Sequence, residues 1–588
     1  MTRIYFIAVA ALALLQQVSA DYEVWAVDQS NSVAGESALG VKGSFLWVFS
    51  SDEIEKQVEG LTEQAKSEPC TPDATEGPCD LLEIFPQDLT ASFANGTTAG
   101  ELRDLDSFAR FHYARPDASN NYVLINMFMP GGGYIGVVDS RTKEAVALFR
   151  VTKFQYATDG AGSTAETRSV HMSDWGGVDS SYIMINNLHG KAVERINVLR
   201  DENGDITGLD FDRSASLGLG SKMKVSEEAT VFSGSNVFGN ALIGSIIGDY
   251  ADADLSDATP NGYCKENGCS DLANGGAGGR GKNMPICTLT SANNFVYITL
   301  AGGGLFVADI SETPLKIVAE YGKEVIYGAG LCGVATPDGQ VFVNSGVSAS
   351  AAGKDQSMFA VWSFDDEAYV DADSLCENDP MPTLVYQDEA TNTKTGGNTM
   401  GADVADTTGQ LPGQSTRRDS HGMAVSVDGN YVQGVDRIQN VIEVFDVFSL
   451  EKTTYDLTSE GGEDRYDGEA GACLAKSVDD DSGLPANDPA PDPISTTPDG
   501  KYMVVGLRGP APVTVNHAAQ GSCPGVGIVQ PTKDGKGGKL ISVIRTSNTI
   551  EDTLETVPAP GGHEYTGKER SDIHGILVVN RDSNKGAN

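Results

Sequence analysis

The segment His421–Val447, HGMAVSVDGNYVQGVDRIQNVIEVFDV, reads as three alternating strands joined by an Asp-Gly turn and then a polar turn. The same phrase returns as CGVATPDGQVFVNSG from Cys332, as ISTTPDGKYMVVGLRG from Ile494 and, more loosely, as CTLTSANNFVYITLAGGGLFVADI from Cys287. Two further copies, beginning at His112 and His171, lack the Asp-Gly turn. A strand meander of this kind cannot bury both of its faces by itself, whereas copies stacked radially can. The expected fold is therefore all-β, a seven-bladed β-propeller. Its inner strands begin near His112, His171, Cys287, Cys332, His421, Ile494 and His574. The stretch Ala229–Asp249 offers material for an eighth blade.

The two ends of the chain complete each other. Residues 22–30 and 43–50 have the pattern of middle and outer strands of a blade without an inner strand, and IHGILVV, Ile573–Val579, supplies one. Pairing the ends would remove the open strand edges that invite aggregation. Beyond the ring, insertions near 51–107, 214–283, 385–417 and 460–492 are rich in Gly, Pro, Asp, Ser or Thr. Three of them run into an inner strand, so the long loops are expected around one mouth of the central channel, where function commonly sits.

The phrase at His421 resembles the repeat of the YVTN or lactonase-like propellers, in which Pro-His-Gly, Pro-Asp-Gly and Tyr-Val-Thr-Asn recur. Here Ser420 and Val427 replace the two prolines, and Gly434 lies near the usual Thr-Asn. The resemblance covers three or four blades and implies the fold. It extends to activity only as far as a lactonase-like hydrolase being one of several functions that this fold hosts.

Residues 1–20 form a secretory signal: Arg3, an apolar run from Ile4 to Leu15, and Val18 and Ala20 before the cleavage point. A membrane anchor would need a longer uninterrupted run than this one. The expected compartment is extracellular or periplasm-like, where the nine cysteines can form disulfides. Cys70 with Cys79, and Cys264 with Cys269, bracket short loops. Asn95 heads a glycosylation sequon, Asn95-Gly96-Thr97. The formal net charge of −41 excludes nucleic acid as a partner, because nothing on such a surface displaces phosphate counterions. The expected partner is a small molecule or a protein at the loop-rich face.

Candidate chemistry gathers at the strand starts. His112, His171, His421 and His574 each begin an inner strand, and Cys287 and Cys332 begin two more. Equivalent positions of a radial repeat converge on its axis, and imidazole and thiolate are ready ligands for Cu, Zn or Fe. Histidine-lined copper propellers such as nitrous oxide reductase and the selenium-binding methanethiol oxidases offer an analogy. Arg110, Arg168, Arg418 and Arg570 precede the histidines as candidate anion or substrate contacts, and Asp419 and Asp572 could orient ligand imidazoles. On the structural alternative, the histidines and arginines serve inter-blade bonds, and Cys287 and Cys332 form a disulfide or remain core thiols. A calcium loop at Asp201, Asn203, Asp205, Thr207 and Asp212 has Ile206 where Gly is wanted and reads better as a hairpin turn. Two functions follow: a secreted binding propeller, or a secreted metal-dependent oxidoreductase using the histidines.

Overall fold

The structure is a computed structural model. It describes residues 20–29, 44–71, 74–80, 84–85, 90–93, 98–101, 110–128, 133–152, 170–188, 192–219, 228–233, 285–300, 303–322, 325–326, 330–345, 359–370, 380–387, 418–462, 470–478, 486–510, 520–549, 556–559, 563–566 and 569–582. Residues 1–19 of the signal segment, Asn95, Arg168, Cys264, Cys269 and His517 lie outside the described residues.

Seven sheets, each an antiparallel meander of four or more strands, make the seven blades. Blade 1 is closed by the two chain ends: Tyr22–Asp28 pairs on one side with Phe45–Ser50 and on the other with the inner strand Ile573–Asn580. The inner strands of blades 2 to 7 are Arg110–Pro116, Asp174–Gly176, Pro285–Thr290, Gly330–Ala335, Ser420–Val425 and Pro491–Thr496. Each follows or contains the start read from the repeats. The Asp-Gly turns lie between inner and second strands, with Gly339, Gly429 and Gly500 at φ of 83°, 75° and 66°. That region suits glycine, which carries no Cβ.

Of the stretch proposed as an eighth blade, the described residues, up to Ser233, join blade 2 instead, and residues 234–249 lie outside the described residues. Glu228–Ser233 pairs with Ala145–Thr152, the fourth strand of that blade, and with Thr90–Phe93 beyond it, giving a seven-stranded sheet. A free outer edge captures a strand more readily than a new blade opens a closed ring. The first insertion also divides. It begins with the helix Ser51–Val58, capped by Ser50 accepting from the Glu53 N–H, and then supplies Cys79–Asp80, the fourth strand of blade 1. The helix therefore belongs to the face of the inner-to-second-strand turns, where Glu55 meets Lys501 and Tyr502.

The core lies between neighbouring sheets. Trp25, Val27, Phe111, Val123 and Ile125 fill the seam of blades 1 and 2, and Val435, Ile442, Tyr455, Val505 and Leu507 that of blades 6 and 7. Disulfides join Cys70 to Cys79, Cys287 to Cys332 and Cys473 to Cys523. No helix among the described residues is long and apolar enough to cross a membrane.

Candidate metal centre at the hub

One local device aims the hub side chains. In six blades the pairing of inner and second strand slips at the start of the inner strand: around His574, at His112, at Ile286, between Gly330 and Gly333, between Ser420 and Met423, and between Pro491 and Ile494. A bulge re-aims the residue within it and frees it from the alternation of the pleat. Glycine after the histidine is part of the device. A Cβ on Gly422 would sit 2.6 Å from Pro493 Cα and 2.9 Å from the Asp492 carbonyl oxygen, so the backbone of the next blade could not approach.

The bulges at His112, His421 and His574, with His171 just before the inner strand of blade 3, bring four imidazoles into one arc. Ring centroids are 4.3 Å apart for His171 and His112, 4.5 Å for His112 and His574, and 5.3 Å for His574 and His421. His112, His421 and His574 are buried. Between the last two comes the bulged residue of blade 7, Asp492, which the sequence reading did not single out. Its Oδ2 lies 2.8 Å from His574 Nδ1, and its Oδ1 contacts His421 Nδ1. Donor atoms of His421, Asp492 and His574 all lie within 4.8 Å of one another.

Asp492 is held in turn by two buried guanidiniums. Arg508 Nη1 donates to its Oδ2 at 2.6 Å and Arg437 Nη1 at 3.3 Å. Arg437 also grips Asp419, and Arg508 binds Asp572 through Nε and Nη2 at 2.6 and 2.7 Å. Asp419 and Asp572 pair with these arginines, and the carboxylate beside both the His421 and His574 rings is Asp492. Burial opposes charge on Asp492, yet His421, His574, Arg437 and Arg508 hold its carboxyl well below the usual carboxylate range. Burial pushes His574 well below the ordinary imidazole value against the pull of Asp492. Burial and Arg437 lower His421 in the same way. Arg437 and Arg508 carry the counter-charge beside the carboxylate. A neutral ring that gives its Nδ1 proton to a carboxylate carries its lone pair on Nε2, the arrangement common to metal-bound histidine.

Other expected residues fall elsewhere. The bulged residue of blade 4 is Ile286, whose carbonyl oxygen lies 2.6 Å from His171 Nδ1, while Cys287 stands beyond the bulge in register with Thr299. Cys287 and Cys332 bond to each other, so neither offers a thiolate. Arg418 does not face the channel as a free anion contact: it donates to Asp436 and Glu443 and covers the Phe359 ring. Arg570 is buried and donates to the Glu569 carbonyl at 3.1 Å. Arg110 lies on the inner strand of blade 2. The suggested calcium loop is a hairpin turn, in which Asp201 Oδ1 accepts the N–H of Asn203 and Asp205 and Asp205 pairs with Arg141.

The fold and these side chains define a class, a seven-bladed β-propeller whose hub is lined by histidine. The chain resembles lactonase-like propellers at low identity. A Lactobacillus plantarum protein is 10% identical, with 95% of this chain and 99% of that one covered and a TM-score of 0.45. A putative 6-phosphogluconolactonase of Bacteroides fragilis is 9% identical, with 96% and 99% covered and a TM-score of 0.40. The periplasmic gluconolactonase of Pseudomonas aeruginosa is 9% identical, with 95% and 99% covered and the same TM-score. Likeness at this level concerns the fold alone. No family model matches the chain, and no curated protein matches it.

Proposed function

We propose that this chain is a propeller of an oxidising, extracytoplasmic compartment that binds one first-row transition-metal ion at its hub. The ligand expected at the loop-rich mouth is narrowed here to an ion, with copper, zinc and iron as the candidates. The observation that carries the reading is the sharing of one buried, arginine-held carboxylate by the Nδ1 atoms of two neighbouring imidazoles. A structural histidine needs only one hydrogen bond to its neighbour, whereas a carboxylate that fixes two rings in the same tautomer prepares two Nε2 lone pairs together.

The donor set fits such an ion. One donor atom each of His421, Asp492 and His574 lie within 4.8 Å of one another, and donors on a tetrahedral centre with bonds of about 2.1 Å stand roughly 3.4 Å apart, so this set, with Asp492 as one of its three donors, reaches that spacing by contraction. The buried network of Asp419, Asp492, Asp572, Arg437 and Arg508 has one carboxylate more than it has guanidiniums, which favours a cation. Imidazole donors favour Zn, Cu, Fe or Ni over Mg and Ca. His421 and His574 would hold the ion, with His112 beside them. The three disulfides fit export.

The test is metal stoichiometry. Protein stripped with chelator, reloaded with Zn²⁺ or Cu²⁺ and desalted should retain about one equivalent, and His421→Ala/His574→Ala should retain none while keeping its β-sheet circular dichroism. Failure of the wild-type chain to retain metal overturns the reading.

A further inference from the structure

We propose that Arg437 and Arg508 are the positioning residues that set the spacing of the three hub donors, His421, Asp492 and His574. The inference rests on reading the hub as a transition-metal site and assigns these arginines a role that their charge alone does not fill.

The two side chains are used in the same way. Arg508 lays its Nε and Nη2 edge along Asp572, at 2.6 and 2.7 Å, and turns Nη1 to Asp492 Oδ2 at 2.6 Å. Arg437 lays the same edge along Asp419, at 3.1 Å for both bonds, and turns Nη1 to the same oxygen at 3.3 Å. Asp572 stands two residues before His574, and Asp419 two residues before His421. Each guanidinium therefore joins the segment leading into one histidine donor to the third donor, Asp492. The contacts run from Asp419 through Arg437, Asp492 and Arg508 to Asp572, across blades 6, 7 and 1, which carry the donors. All five side chains are buried.

Donor atoms drawn from three blades lie within 4.8 Å of one another, and no single strand or turn sets that spacing. A guanidinium can, because it is a rigid plane with donors on two edges and so fixes both the distance and the angle between the carboxylates it bridges. An ammonium carries the same charge on a flexible stem and fixes no such angle. The backbone beside Arg508 is built for the same approach. A Cβ on Gly509 would stand 1.7 Å from the Ser571 carbonyl oxygen, so glycine lets the end of the blade 7 strand reach the segment leading into His574. The Gly509 N–H also donates to Asp572 Oδ1 at 3.3 Å.

The test uses full-length protein reloaded with Zn²⁺, with affinity read by competition against a chelator and stability by urea unfolding. Arg508→Lys keeps the charge beside the cation, so a purely electrostatic role predicts an affinity within about 2-fold of wild type. The positioning role predicts a loss of about 10- to 100-fold. Arg195→Lys is the comparison: Arg195 joins Asp212 of blade 3 to the Ile310 carbonyl oxygen of blade 4, so its replacement should lower stability and leave affinity alone. Arg508→Lys is then repeated on Asp572→Asn. With no carboxylate pair left to space, it should change affinity there by no more than about 2-fold. Should Arg508→Lys fail to fold, Arg437→Lys, alone and on Asp419→Asn, is read in the same way. A folded lysine variant with wild-type affinity, or an equal loss in both backgrounds, overturns the positioning role while leaving the metal site standing; a wild-type chain that retains no zinc overturns both.

Discussion

Replacing Asp492 with Asn is the sharpest probe of the hub, because it keeps the shape and removes the charge. The carboxylate accepts from Arg508 Nη1 at 2.6 Å and Arg437 Nη1 at 3.3 Å, and lies 2.8 Å from His574 Nδ1 and against His421 Nδ1. Asparagine keeps one acceptor oxygen and turns an NH₂ toward the donors on the other side. Two contacts are lost outright, and bonds to charged groups contribute about 1.5–3 kcal/mol each. The guanidiniums keep Asp419 and Asp572, so neither is stranded without a carboxylate. The expected loss is about 4 kcal/mol, within the range for breaking a buried ion pair. Urea unfolding followed by tryptophan fluorescence should show a lower midpoint with the slope unchanged. Metal affinity should fall about 10- to 100-fold, as for a ring that has lost its orienting carboxylate. A variant within about 1 kcal/mol of wild type, with unchanged affinity, would refute the assignment of Asp492 as the anchor of both rings.

Two further outcomes follow from the same structure. Burial pushes the Asp488 carboxyl up to about 7, with Asn440 and the Ala490 N–H opposing. The native state then holds a proton that the unfolded chain releases near pH 4, so stability is greatest below that value and falls as pH rises toward 7. The fall should be about 4 kcal/mol, and Asp488→Asn should flatten it in denaturation curves taken from pH 4 to 8. The double variant Cys287→Ser/Cys332→Ser opens a link between residues 45 apart and should lose about 4 kcal/mol of stability in thermal or urea unfolding. Its metal content should be unchanged, because the sulfurs are not donors; loss of metal without loss of fold would contradict that.

The architecture was legible because each blade repeats a phrase whose period and turn chemistry are local. The Asp-Gly turns and strand alternation located the inner strands, and the complementary ends located the closure. The histidines were legible for the same reason, as equivalent letters of a repeat. Asp492 was not, although it occupies in blade 7 the place of His421 in blade 6, with Pro493 for Gly422 and Ile494 for Met423. Asp492 carries neither imidazole nor thiolate, and the recognisable repeat phrase of blade 7 begins at Ile494, one step past the bulge. Cys287 was misplaced by a single residue for a related reason: a bulge shifts which letter faces the axis, and pairing register is not written in the inner strand alone. Arg437 and Arg508 each join a carboxylate of their own blade to one of the next, so part of their role depends on contacts between blades that no local pattern encodes. The arginine that follows the second strand in both of these blades was the available signal.

The central claim is that imidazoles of the hub hold a metal. X-ray absorption at the zinc K-edge of the reloaded, wild-type chain tests it most directly. The account predicts about one zinc per chain, a first shell of nitrogen or oxygen at about 2.0–2.1 Å and the outer-shell scattering of imidazole rings. A sulfur shell near 2.3 Å, a shell without imidazole scattering, or no retained zinc would contradict it.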